Sequence, residues 1–133
     1  MTTTEAILDE ACDAASLVLV ELGAFNPFGL YATTDGNGGT LNADIESDAG
    51  TICDLLGEWI GEQENLAWAA VVVDVRVRGV DTIMVRLQVR GAAPECVGRE
   101  YAIVDSLVEW GTSHRFSPHC GWWPAGAIDQ ERQ

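Results

Sequence analysis

Arginine side chains are concentrated in two neighbouring segments that alternation predicts to pair as a β-hairpin. Four of the seven basic residues lie there, namely Arg76, Arg78, Arg86 and Arg90. The alternation places them, with Asp74 and Gln88, on the polar face of the hairpin. Guanidinium groups bind carboxylate or phosphate in bidentate geometry, so this face predicts an anion-binding surface. The alternative is a solvated face on which the arginines pair across strands with Asp74, Asp44 or Glu100.

A second group of chemically active side chains lies near the C-terminus, where His114, His119 and Cys120 occur together. Imidazole and thiolate are zinc ligands, but three candidates at this spacing match no established zinc pattern. His119 beside Cys120 also suggests a base next to a nucleophile, although no third residue is evident that would orient the pair. We therefore expect ordinary hydrogen bonds from these histidines, and we predict no metal, no cofactor and no catalytic residue.

Tryptophan marks the same region, because Trp110, Trp122 and Trp123 precede Pro124 within a short stretch. Tryptophan anchors many protein interfaces, so these three residues are candidates for a contact surface. The alternative is a tail that folds back over an edge or an open face of the sheet. The candidate ligand-binding residues are Arg76, Arg86, Arg90, Gln88, His114 and His119.

The charge balance narrows the classes of partner. Asp and Glu total 21 against seven basic residues, all arginine, which gives a net charge of −14. Nucleic acids and anionic membranes are repelled by such a field, so we expect neither as a partner. A basic protein would be attracted. Arginine without lysine also suggests a GC-rich bacterial genome or a salty habitat.

The elements that must position these residues follow from periodicity. Apolar residues at helical spacing predict a first helix that ends at Gly23, with Thr2 and Glu5 spaced as a capping box. A second helix begins after Ser47 or Asp48 and carries an apolar face from Ile52 to Ile60. Its glycines, Gly50, Gly57 and Gly61, lower its helix propensity and allow another segment to approach closely.

Strands are predicted between and after the helices. Alternation predicts a hairpin from 28–33 and 41–45, two long strands at 70–78 and 83–90, and a fifth strand at 99–104. Residues 105–110 extend that strand or form a helical turn. The order α-β-β-α-β-β-β predicts one α+β domain over residues 1–133, with a five-stranded antiparallel sheet and both helices on one face. Residues 111–133 are expected to be an ordered C-terminal loop and a frayed tail.

Short motifs suggest two resemblances. Gly23-x-Phe25-x-Pro27-Phe28, with Asp74-Val75-Arg76-Val77 later, resembles a group of small bacterial proteins that share a G-x-F-x-P-F motif. The element order resembles profilin-like and roadblock-type domains. Neither resemblance implies an activity or functional residues for this chain.

Two functional hypotheses follow from these features. The first is a non-enzymatic interaction module that forms a homodimer. A more specific version of it is an acidic inhibitor or immunity-type protein that covers a basic partner. The second is a small-molecule (anion)-binding domain or small enzyme with a pocket between the arginine-bearing face and the C-terminal loop. The chain begins without a basic signal region, and its four cysteines include no C-x-x-C pair, so we expect reduced thiols in the cytoplasm.

Overall fold

Two helices lie on opposite faces of one antiparallel sheet in the computed structural model, which describes residues 3–43 and 46–124. The elements in chain order are α1 (Thr4–Leu22), β1 (Phe28–Thr33), β2 (Gly38–Asn42), α2 (Ala49–Glu62), β3 (Leu66–Val77), β4 (Val80–Val89), β5 (Glu95–Val104) and β6 (Leu107–Phe116). The strands are arranged in the order β2-β1-β3-β4-β5-β6. The predicted α+β class and the single antiparallel sheet are confirmed.

The ends of both helices are determined by short-range chemistry. The Thr3 hydroxyl accepts a hydrogen bond from the backbone N–H of Ala6, so Thr3 caps α1 rather than Thr2. Gly23 ends α1 in the left-handed conformation, as predicted. Asp48 caps α2 through the N–H of Thr51. Neither described helix is long and apolar enough to cross a membrane.

The prediction that both helices share one face of the sheet is wrong. Alternate residues of β3 pack in opposite directions, because Ala70 and Val72 face α1 whereas Ala69 and Val71 face α2. The segment from Leu66 to Val73 is therefore buried on both faces, apart from partly buried Ala67. A continuous apolar run of this kind is typical of a central strand that is covered on both sides.

The sheet has six strands rather than five. Residues 111–116, predicted as loop, form the second half of β6, and β5 connects to β6 through a two-residue turn at Asp105 and Ser106. Both turn residues have positive φ angles, 51° and 64°, without a glycine to indicate the turn in the sequence. The expected C-terminal loop is thus residues 117–124, and the predicted frayed tail, residues 125–133, lies outside the described residues.

Candidate functional site

The strand register separates the arginines that alternation placed on one face. Arg86 lies opposite Val71, whereas Arg76 lies opposite Asp81 and shares its face with Asp74. Directly opposite residues of an antiparallel pair project from the same face, so Arg76 is on the α1 face and Arg86 on the α2 face. The predicted common arginine face is therefore wrong. Arg76 instead forms an exposed ion pair with Asp81 at 3.2 Å.

Gln88 holds the C-terminal segment, residues 117–124, against the α2 face of the sheet. Its side chain is fully buried and makes four hydrogen bonds to backbone groups. Nε2 donates to the carbonyl oxygens of Ala92 at 3.0 Å and Trp123 at 2.8 Å. Oε1 accepts from the N–H groups of Trp122 at 2.7 Å and Trp123 at 3.2 Å. Gln88, a predicted ligand-binding residue, thus provides hydrogen-bond partners for buried backbone groups of irregular segments of this chain.

Arg90 also has an internal structural role. It donates to the carbonyl oxygen of Leu66 at 2.7 Å and to that of Gln63 at 2.9 Å. Its guanidinium carbon lies 4.1 Å from the centre of the Trp123 ring, within cation–π range. Arg90 therefore connects the end of α2, the start of β3 and the C-terminal segment.

The glycines of α2 allow the C-terminal segment to approach the helix closely. A Cβ atom at Gly57 would lie 3.0 Å from Nε1 of Trp122, and one at Gly61 would lie 3.8 Å from the Trp122 carbonyl oxygen. The sequence predicted a close approach at these glycines, and the approaching segment is the C-terminal one rather than a strand. The C-terminal segment therefore contacts both the sheet and α2, next to the region where α2 packs directly on β3.

A pocket of about 940 Å³ opens between the C-terminal segment, α2 and the strands β4 and β5. Arg86 and Met84 line it from β4, Cys96 lines it from the position directly opposite Arg86, and Cys53 lines it from α2. Arg86 is half-buried, and no hydrogen bond or ion pair joins its side chain to any residue of 3–43 or 46–124. The pocket therefore contains a guanidinium whose five donors remain available to a ligand.

The two thiols and the imidazole that line the pocket with Arg86 are uncharged. Burial raises the pKa of the Cys53 and Cys96 thiols, although the nearby Arg86 guanidinium acts in the opposite direction. Burial also lowers the pKa of His119, so its imidazole is neutral at pH 7. The carboxylates of Asp54 and Glu58 line the α2 side of the pocket, beyond ion-pair distance of Arg86.

His119 lines the same pocket, but backbone groups engage both of its ring nitrogens. Nδ1 accepts a hydrogen bond from the N–H of Gly121 at 3.0 Å, which leaves the proton on Nε2, 3.3 Å from the carbonyl oxygen of Leu87. The imidazole also packs against Trp122 at 4.6 Å between ring centres. His119 in this arrangement has no nitrogen available to activate the exposed thiol of Cys120.

His114 lies away from this pocket. It projects from β6 and pairs with Glu100 at 2.5 Å, so the predicted combination of His114 with His119 does not form. Within the described part of the chain, no group of three or more His, Cys, Asp or Glu side chains is arranged to bind a metal ion.

The three candidate interface tryptophans contact other parts of this chain. Trp123 is 8% exposed, and Trp122 is half-buried between His119 and α2. Trp110 packs edge-on against Tyr101 at 6.2 Å between ring centres. The C-terminal segment thus folds back over the open face of the sheet, and the homodimeric module stays a prediction without support from these rings.

The pocket residues that sequence analysis missed include Met84, Cys53, Cys96 and Phe116. The i, i+4 spacing of Cys53 and Gly57 shows that they share one side of α2, and a correct β4–β5 register would have identified Cys96.

No family model, no curated protein and no solved structure matches this chain. The resemblances to the G-x-F-x-P-F group and to profilin-like and roadblock-type domains therefore stay predictions.

Proposed function

We propose that the protein binds a small organic anion, a carboxylate or phosphate ester, in the pocket beneath the C-terminal segment. The observation that supports this function is the half-buried guanidinium of Arg86, which no described side chain neutralises. A partly desolvated guanidinium interacts more strongly with a carboxylate or phosphate than a solvated one does. We propose binding without a reaction, because both ring nitrogens of His119, the histidine in the pocket, are already engaged by backbone groups.

The walls of the pocket restrict the ligand further. Phe116, Trp122 and Met84 supply apolar and aromatic surface, which favours an anion with a hydrocarbon or aromatic body over an inorganic ion. Asp54 and Glu58 on the α2 side repel additional negative charge. A ligand with one anionic group and an apolar body fits both conditions, whereas a polyanion does not.

Titration calorimetry with four probes tests the proposal. Acetate, inorganic phosphate, benzoate and phenyl phosphate separate the contribution of the anionic group from that of the aromatic body. We expect benzoate and phenyl phosphate to bind more tightly than acetate and phosphate. We expect Arg86→Gln to weaken binding about tenfold or more, since a charged hydrogen-bonded pair contributes roughly 1.5–3 kcal/mol.

Arg78→Gln is the matched control, because it removes the same charge from an exposed turn between β3 and β4. We expect it to change the affinity less than about twofold. Equal weakening by the two substitutions would assign the affinity to general electrostatics and refute the site. Absence of binding by all four probes at millimolar concentration would refute it as well.

We also propose a cytoplasmic location. All four cysteines are free thiols, and Cys12 and Cys96 are buried. Burial raises the pKa of Cys12 to about 11, which keeps this thiol protonated and unreactive. Reduced, unpaired thiols are typical of a reducing compartment.

A further inference from the structure

Strand β6 forms one edge of the sheet, and its outer side has no strand beside it in the described residues. The strand order ends at β6, and its described pairing is with β5 alone. In an antiparallel strand, alternate residues direct their N–H and C=O groups to opposite sides, so about half of those in β6 point away from β5. Such a row of unpaired backbone groups is a template for another strand.

The features that usually protect an edge are weak on β6. This strand spans ten residues, against five for β2 at the other edge of the sheet. It contains neither proline nor lysine, and its charged residues, Glu109 and Arg115, balance each other. A bulge interrupts it where Gly111 and Thr112 together lie opposite Glu100 of β5. The edge of β6 is therefore long and open on both sides of this bulge.

The bulge shifts the alternation of β6 by one residue at its centre. Directly opposite residues share a face, and Val97 and Tyr101 of β5 pack in the core under α1. The register with β5 then assigns four residues of β6 to the α1 face: Val108, Trp110, Ser113 and Arg115. Four others fall on the α2 face: Leu107, Glu109, His114 and Phe116. Each face thus has two residues on either side of the bulge.

This arrangement selects one register for pairing between two copies of the chain. A two-fold axis perpendicular to the sheet reverses the strand direction, so β6 of one copy would run antiparallel to β6 of the other. The same axis keeps equivalent faces on the same side, so residues of the α1 face must lie opposite residues of the α1 face. The register that meets this condition for all eight residues is centred on the bulge, with Leu107 opposite Phe116 of the second copy.

Apolar side chains that a single copy exposes gain neighbours in this register. Val104 and Leu107 lie opposite each other at the end of the β5–β6 hairpin and are 42% and 67% exposed. Phe116 of the second copy would continue this row, followed by Cys96, which lies opposite it. The two-fold axis repeats the row at the other end of the contact. Cross-strand apolar pairs of this kind stabilise a sheet.

The polar side chains also match. Glu109 forms no ion pair with any described residue. Opposite it would lie His114 of the second copy, whose Nε2 pairs with Glu100 and whose Nδ1 has no partner among the described residues. The remaining opposite pairs are Val108 with Arg115 and Trp110 with Ser113. No like charges therefore face each other directly, although each copy has a net charge of −14.

We propose that the protein forms a two-fold symmetric dimer through antiparallel pairing of β6 with β6 of a second copy, which joins the two sheets into one. Salt at about 0.15 M screens charges that are more than roughly 8 Å apart, so the net charge does not prevent a contact whose own charges are balanced. The contact is small, and we therefore expect a reversible dimer with a dissociation constant on the order of 1–100 μM.

Sedimentation velocity at this salt concentration, over protein concentrations from about 1 to 500 μM, tests the proposal. We expect Leu107→Glu to weaken the dimer about tenfold or more, because symmetry places the new carboxylate against Phe116 twice. The matched control is Leu17→Glu, which makes the same change of charge at a leucine that is 75% exposed, on the side of α1 that faces β1 and β2. We expect it to change the dissociation constant less than about twofold. Both leucines are exposed, so neither change should unfold the protein.

Amide hydrogen exchange in the unmodified protein identifies the edge that pairs. We expect the amides of β6 to gain protection at the high protein concentration relative to the low one, and those of β2 to show no change. A monomer over the whole concentration range would overturn the proposal. So would a dimer that protects β2 instead of β6, or equal weakening by the two leucine substitutions.

Discussion

Replacement of Gln88 by leucine tests how the C-terminal segment is held. Leucine fills a similar volume but removes the four hydrogen bonds to the backbone groups of Ala92, Trp122 and Trp123. Each bond contributes about 1 kcal/mol to stability, and a buried group left unpaired costs about 1–3 kcal/mol. The loss of stability is therefore largest if the segment stays in place with its backbone groups unpaired.

If the C-terminal segment detaches instead, the loss of stability is smaller. The released backbone groups would regain hydrogen bonds to water, and the protein would lose the burial of Trp123 and its contact with Arg90. We therefore expect Gln88→Leu to lower the free energy of unfolding by about 2–4 kcal/mol. This is a large fraction of the stability of an ordinary domain.

Urea denaturation measures the change in the free energy of unfolding, and amide hydrogen exchange measures whether the C-terminal segment detaches. We expect the Trp122 and Trp123 amides, which donate to Gln88 in the native protein, to lose most of their protection. The control is Gln63→Leu, because Gln63 is half-buried and its side chain donates one hydrogen bond, to the carbonyl oxygen of Trp59. We expect that change to cost about 1 kcal/mol or less. Similar costs for both substitutions, or unchanged protection of the two amides, would refute this account of Gln88.

Two further predictions concern the walls of the pocket. In Gly98→Ala the new Cβ would lie 2.6 Å from the ring of Phe116, so we expect a loss of about 1–3 kcal/mol in urea denaturation, against less than about 1 kcal/mol for Gly111→Ala, whose Cβ would meet nothing closer than 3.3 Å. Because burial lowers the pKa of His119, the unfolded chain binds its proton more readily; stability is therefore fully present above about pH 6.5 and falls as the pH drops below it. The melting temperature of His119→Gln should fall less between pH 7.5 and 5.5, and an identical decrease in both proteins would contradict the assignment.

The sequence predicts best where a single face of an element is buried. The apolar stripe of α1 and its stop at Gly23 are correct because one side of this helix meets the core and the other meets water. Strand β3 is harder, since it is covered on both faces and its apolar residues do not alternate. Sequence analysis places both helices on one face of the sheet, although β3 needs a cover on each side.

Strand β6 was not predicted, because its residues are mostly exposed, whereas those of β3 are mostly buried. Most of its residues are exposed, so it has almost no apolar period to detect, and the preceding turn at Asp105 and Ser106 lacks glycine. A register shift between Arg99 and Tyr101 further disturbs its alternation. The loss of period at an exposed edge is a physical limit of pattern analysis, because no burial constrains the residue types there.

The candidate site depends on register, which the sequence specifies only indirectly. Alternation within each strand correctly separated Arg86 from its apolar neighbours, but it could not show which face of β3 aligns with which face of β4. Pairing Val71 with Arg86 places apolar and basic residues on the same face, and α2 with the C-terminal segment covers the apolar part. A predicted cluster of four guanidinium groups thereby becomes one. Arg76 pairs with Asp81, Arg78 lies in the exposed turn between β3 and β4, and Arg90 binds carbonyl oxygens.

That reduction changes the chemistry expected of the pocket. Four neighbouring guanidinium groups would favour a polyphosphate or another polyanion, whereas one guanidinium facing the carboxylates of Asp54 and Glu58 favours a ligand with a single negative charge. Affinity must then come largely from the apolar walls, and Gln88 helps to hold one of them in place by accepting a hydrogen bond from the N–H group of Trp122. The C-terminal segment is therefore part of the proposed site, and Gln88→Leu should weaken the binding of benzoate even though Arg86 is unchanged.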